Sequence, residues 1–185
     1  DEAEDILRRI RELIERSKRK WDELLREIKK LIEESRREWE ELLRRIREII
    51  ERLKRLAERD VDDKDRLKEE VKRIKEELKR EVDRLEERNR ELLERLKKEV
   101  EKLKREDDEI VKELEELLTR AKDRVDERVK EEMKRLIEDL KRVSEEVKRE
   151  LDKLIEELKE VSERASKRLK ELIDDLDRLV KEVEK

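Results

Sequence analysis

The chain has 185 residues, enough for one or two domains with a buried core, and its 57 basic and 61 acidic side chains nearly cancel to a net charge of −4. Charged residues make up 64% and hydrophobic ones 32%, and the two signs are mixed along the whole length, which argues against a basic face for nucleic acid and against an acidic tail. Cysteine is absent, which excludes disulfides and thiolate metal sites, and apolar residues never run more than two in a row, so no membrane-spanning helix is expected.

Gly, Pro, His, Phe and Tyr are missing as well. Nearly everything left is a strong helix former, with some Asp and Val. Composition alone would fit a disordered polyampholyte, but strict periodicity argues for packed helices. The opening DEAED is acidic rather than a basic lead-in to an apolar run, so no secretory leader is expected and no natural localisation is implied.

The first predicted element is organised by the stretch from Ile6 to Ala57. It reads ILRRIRELIERSKRKWDE, LLREIKKLIEESRREWEE and LLRRIREIIERLKRLA, one pattern written nearly three times at a step of 18 residues. Ile10, Ile28 and Ile46 correspond, as do Ser17 with Ser35 and Trp21 with Trp39. Eighteen residues make five turns at 3.6 per turn, so the apolar stripe runs straight along the helix and asks for no supercoil.

A second stripe runs from Leu67 through Val71, Leu78, Asn89, Leu96 and Leu103 to Ala121. The run Arg105-Glu106-Asp107-Asp108-Glu109 has the composition of a loop, yet the phase is unbroken across it, which predicts helix. A third stripe, in shifted phase, runs from Met133 to Val183 and again steps by 18, as in Leu136, Leu154 and Leu172. The breaks fall near residues 60 and 124, at Asp60-Val61-Asp62-Asp63 and Arg124-Val125-Asp126-Glu127. In each an Asp is suited to cap the next helix, with an acid in the first turn and a Val placed to pack on the bundle end. The phase thus predicts helices over 2–59, 63–123 and 127–184, each roughly 87–90 Å long at 1.5 Å per residue. Such short connections make neighbours antiparallel, so the expected fold is all-α: one up-down-up three-helix bundle spanning 1–185. On its surface Glu12–Arg16, Glu33–Arg37, Glu51–Arg55 and Glu145–Arg149 have the spacing of stabilising i, i+4 pairs.

The most specific signal is polar residues inside the stripes. If Arg59 and Asp63 flank the first turn, antiparallel registration sets Asn89 beside Ser35 and Asp107 beside Ser17. Across the second turn Asn89 falls beside Ser162 and Asp107 beside Ser144. Two polar core layers are expected, Ser35–Asn89–Ser162 and Ser17–Asp107–Ser144, which fix register as buried Asn does in coiled coils. Trp21 and Trp39 sit on the same stripe and are expected to be core aromatics, filling space near Ala165 and the small serines. No His or Cys is present to act as base or nucleophile, so no catalytic residue is assigned. The acidic clusters Asp60/Asp62/Asp63/Asp65 and Asp174/Asp175/Asp177 lack the glycine and ligand spacing of a calcium loop, and di-iron bundles need His. No metal site, cofactor or partner is expected, neither nucleic acid nor membrane, and the chain is expected to be a monomer.

Equal helices, an 18-residue stripe, turns without filler and a Lys/Glu/Arg surface resemble the computationally designed, parametrically generated helical bundles, in particular the antiparallel untwisted three-helix bundles. The resemblance covers the whole chain. It rests on ILRRIRELIERSKRKWDE and its two successors, and on LLTRAKDRVDERVKEEMK, RLIEDLKRVSEEVKRELD and KLIEELKEVSERASKRLK. It implies a monomeric, very stable scaffold with no natural biochemical function. The polar core residues depart from that family, which usually keeps its cores apolar. The competing reading is a spectrin-like or coiled-coil spacer or interaction module, which would show heptads and irregular repeats. A lone charged helix would lack the apolar stripe, and a lipid-binding protein would carry Pro-punctuated repeats and interfacial aromatics.

Overall fold

The computed structural model describes residues 2–59, 64–121 and 123–184, with side chains as far as 182. It consists of three α-helices of 58 residues each: α1 (Glu2–Arg59), α2 (Lys64–Ala121) and α3 (Glu127–Glu184). Residues 105–109 lie within α2, so the apolar phase was a better guide there than composition. The helix ends differ from those expected by two residues at most. The larger difference is at the end of α2, where the Arg124 and Val125 amides both donate to the Ala121 carbonyl, at 3.0 and 3.2 Å, in a turn that follows the helix. Asp126 then occupies the N-cap of α3: its carbonyl accepts from the Val129 and Lys130 amides, each at 3.1 Å. Val125 packs on the apolar cluster beside it, as its place before the cap requires. The matching expectation for Asp60 to Asp63 lies outside the described residues.

Contacts divide the chain into two compact units, each containing a length of all three helices. Unit 1 is Asp1–Lys30 with Glu94–Glu156. Within it α1 and α2 are antiparallel, as Arg9 meets Glu113 and Ser17 meets Asp107. Helix α3 runs parallel to α1, with Arg11 bonded to Glu132 at a sequence offset of 121. Its core packs Ile10, Leu13 and Ile14 against Leu114, Ala121, Met133, Ile137 and Leu140. Unit 2 is Leu31–Leu93 with Glu157–Lys185. Here Ser35 meets Asn89, Arg45 meets Glu81, and Arg36 meets Glu157 at the same offset of 121. Its core includes Trp39, Ile46, Leu53, Val82, Leu169, Ile173 and Leu176. Each unit is therefore an up-down-up three-helix bundle.

Burial follows the repeat. Ile10, Ile28 and Ile46 have no exposed surface, and Ile137, Ile155 and Ile173 are nearly as enclosed. Burying one such side chain contributes about 1.5–3 kcal/mol, whereas an exposed ion pair contributes about 0–1 kcal/mol, so the stripes dominate stability. Two acids of the surface pairs expected at i, i+4 make their closest contacts elsewhere. Glu33 reaches Arg36 at 3.6 Å, and Glu145 reaches across to Lys104 at 2.6 Å. A long side chain beside a neighbouring helix has partners there that helical spacing alone does not reveal. Among the described residues, no helix is long and apolar enough to cross a membrane.

Candidate site: two buried polar layers

In unit 1 the polar layer is built on Asp107, a carboxylate in the middle of α2 that is 3% exposed. Ser17 Oγ donates to its Oδ1 at 2.6 Å, and Trp21 Nε1 donates to its Oδ2 at 2.6 Å. Ser17 and Trp21 are four residues apart, hence one above the other on the same face of α1. The carboxylate turns both oxygens toward α1. Ser144, the expected member from α3, is buried but its hydroxyl makes no hydrogen bond. Salt bridges flank the layer: Lys20 to Glu106 at 2.9 Å, and Lys104 to Glu145. The hydrogen bond from Lys20 holds the Glu106 carboxyl below its usual range, and that from Lys104 does the same for Glu145. Burial works against the charge on Lys104, but the Glu145 hydrogen bond and the Asp108, Glu145 and Asp107 carboxylates outweigh it and raise the amine above its ordinary value.

In unit 2 the corresponding residue is Asn89. Ser35 Oγ donates to its Oδ1 at 3.0 Å, and its Nδ2 donates to the Leu85 carbonyl at 2.9 Å. Trp39, one repeat after Trp21, is equally buried, yet its Nε1 has no partner. The difference follows from one atom. A carboxylate presents two acceptor oxygens, while a carboxamide presents one and a donor. Asp107 therefore serves both Ser17 and Trp21. Asn89 gives its single oxygen to Ser35, and the indole is left without an acceptor. Ser162 on α3 is buried and likewise makes no hydrogen bond. In both layers the expected α1–α2 partners meet, and the α3 serine is enclosed without bonding to either. Trp39 packs in a cluster that Ala165 borders, where space filling placed it.

One buried polar residue went unpredicted. Ser166 on α3 is 7% exposed and hydrogen-bonded to Glu86 on α2, which also pairs with Lys170 at 2.9 Å. Burial pushes the Glu86 carboxyl up, but the hydrogen bonds from Ser166 and Lys170 and the nearby cations outweigh it and hold the group below its ordinary value. The sequence does carry a signal for Ser166: its counterpart one repeat earlier is Lys148, so a small residue has replaced a long charged one. Of the acidic clusters, Asp177 pairs with Lys75 and Asp175 with Arg178. No group of three or more potential ligands that could hold a metal ion occurs among the described residues. What the layers can do chemically is donate and accept hydrogen bonds in fixed register.

No protein-family model matches the chain, and no curated protein matches it. Among solved structures it is similar to one described as a computationally designed three helix bundle, with a TM-score of 0.56 and 24% sequence identity over 98% of this chain and 82% of that one.

Proposed function

We propose that this chain is a designed structural scaffold: a sequence written to hold one fold, with no reaction, cofactor or partner of its own. The observation that carries the reading is the repeat itself. Equivalent residues 18 apart meet equivalent surroundings, down to the paired layers Ser17–Asp107 and Ser35–Asn89. The designed origin of the similar solved bundle supports it. The 18-residue period also favours straight, untwisted helices, since it is a whole number of 3.6-residue turns. The polar layers then serve specificity: a slip of one helix by a turn would leave Asn89 and Asp107 buried without their serines.

Solution mass and thermal unfolding test this together. A scaffold of this kind is a monomer of 23.1 kDa that keeps its helical circular dichroism to above about 90 °C. A stable dimer would overturn the monomeric scaffold and favour the coiled-coil spacer. Melting near the usual range of about 45–65 °C would remove the claim of high stability.

A further inference from the structure

Asp107 is buried on the core face of α2, where an ionised carboxylate needs partners. Its partners among the described residues are two neutral donors of α1, Ser17 at Oδ1 and Trp21 at Oδ2. Charged groups stand around the layer on all three helices, but they are bonded to one another. Lys20 of α1 pairs with Glu106 of α2, and Arg16 of α1 also acts on that carboxylate. Lys104 of α2 pairs with Asp108 at 3.6 Å and with Glu145 of α3 at 2.6 Å, and it feels the Asp107 charge as well. Beside Glu145 on α3 is Ser144, a buried neutral hydroxyl.

Unit 2 contains a permanently neutral counterpart. Asn89 lies one repeat before Asp107 on α2. Its oxygen accepts from Ser35, its amide donates to the Leu85 carbonyl four residues back, and Trp39 Nε1 has no partner. A protonated carboxyl has nearly the same inventory as a carboxamide: one carbonyl oxygen that accepts and one group that donates. A proton taken from solvent onto Oδ2 therefore gives Asp107 the hydrogen-bonding character of Asn89. The carbonyl four residues before it is that of Leu103, in the place that Leu85 holds for Asn89.

We propose that Asp107 is a proton-operated switch in unit 1. Ionised, it holds Ser17 and Trp21 together. Protonated on Oδ2, it keeps Ser17, donates to the Leu103 carbonyl and releases the Trp21 indole. The layer in unit 2 is fixed in the second state, because a carboxamide takes up no proton in this way. The proposal is independent of whether the chain was designed, because it rests on the two layers and the one atom that separates them.

The chain has two tryptophans, so the full-length ¹⁵N-labelled protein shows two indole N–H resonances, assigned with Trp21→Phe and Trp39→Phe. They are followed from neutral pH down to the lowest pH at which helical circular dichroism is unchanged. In the parent the Trp21 resonance should lie downfield of that of Trp39 at neutral pH, since its N–H meets a charged acceptor. It should move upfield as pH falls, while Trp39 stays in place. In Asp107→Asn the Trp21 resonance should already hold the acid position and keep it at every pH. In Asn89→Asp the Trp39 resonance should move downfield at neutral pH and become acid-sensitive. Glu106→Gln, which removes a neighbouring carboxylate, should leave the Trp21 titration in place. The proposal fails if the Trp21 resonance keeps its position until the helices unfold, if it moves as far in Asp107→Asn, or if Trp39 moves with it in the parent. It fails equally if Glu106→Gln abolishes the movement or if Trp39 ignores pH in Asn89→Asp. That last variant also keeps the test decisive should Asp107→Asn not fold.

Discussion

Replacing each tryptophan by phenylalanine gives the sharpest prediction. Trp21 and Trp39 are equivalent in the repeat and equally buried, at 2% and 3% exposure. Trp→Phe removes the same atoms from both, so the loss of packing is shared. The indole N–H is not equivalent. In Trp21 it donates to the Asp107 carboxylate, and a hydrogen bond to a charged group contributes about 1.5–3 kcal/mol. In Trp39 it has no partner, and enclosing an unsatisfied donor costs about 1–3 kcal/mol that the substitution removes. Trp21→Phe should therefore destabilise the chain by about 2.5–6 kcal/mol more than Trp39→Phe does. Guanidinium unfolding at 25 °C, followed by helical circular dichroism, measures both. In an Asn89→Asp background Trp39 gains an acceptor oxygen, and Trp39→Phe should then become as damaging as Trp21→Phe is in the parent. Equal losses in the parent, within about 0.5 kcal/mol, would refute the argument that one oxygen separates the two layers.

Asn89→Leu combined with Ser35→Ala exchanges the α1–α2 polar pair for an apolar one and should leave the helices intact while raising the unfolding midpoint; collapse of helicity in that variant would show that the pair is needed for folding itself. Ile46→Ala, at a site with no exposed surface, should cost about 2–5 kcal/mol in the same guanidinium assay, and a loss below 1 kcal/mol would mean that the stripe is not the main source of stability. Stability should also depend on pH at both extremes. Glu86, Glu106 and Glu145 are held below their ordinary value of 4.5, so their contribution is full above that pH and is lost as pH falls through the folded-state values. Lys104 and Lys141 are held above their ordinary 10.5, Lys141 chiefly by its hydrogen bond to Glu115, so their contribution is full below that pH and is lost as pH rises through the folded-state values. Unfolding midpoints across pH should thus form a plateau with two falling limbs, and Lys104→Met should shorten the alkaline fall.

Helix ends were legible because phase errors are costly: a stripe that leaves the core face exposes Ile and Leu, so the stripe marks where each helix must stop. The run 105–109 shows the strength of that signal over local composition. Partners across helices were legible only as heights. Equal height placed Asp107 beside Ser17, but the bond from Trp21 depends on the reach of an indole one turn further along and on which way the carboxylate faces. The silence of Ser144 has the same origin, since Asp107 faces α1. The repeat of α3 marks Ser166 as a small residue in place of Lys148, but its partner Glu86 lies on another helix, which no period in one helix encodes. The nearest partner of Glu145 was missed for a related reason. Helical spacing counts partners on the same helix, while Glu145 finds Lys104 on another.

The constant offset of 121 between bonded residues on α1 and α3 has a practical consequence. Both helices keep time by the same 18-residue unit, and α2 keeps it in reverse. Removing one such unit from each helix, at matching heights within one unit of the molecule, leaves every remaining stripe pointing where it did. Length is then adjustable in steps of five helical turns with the remaining apolar stripes kept in phase.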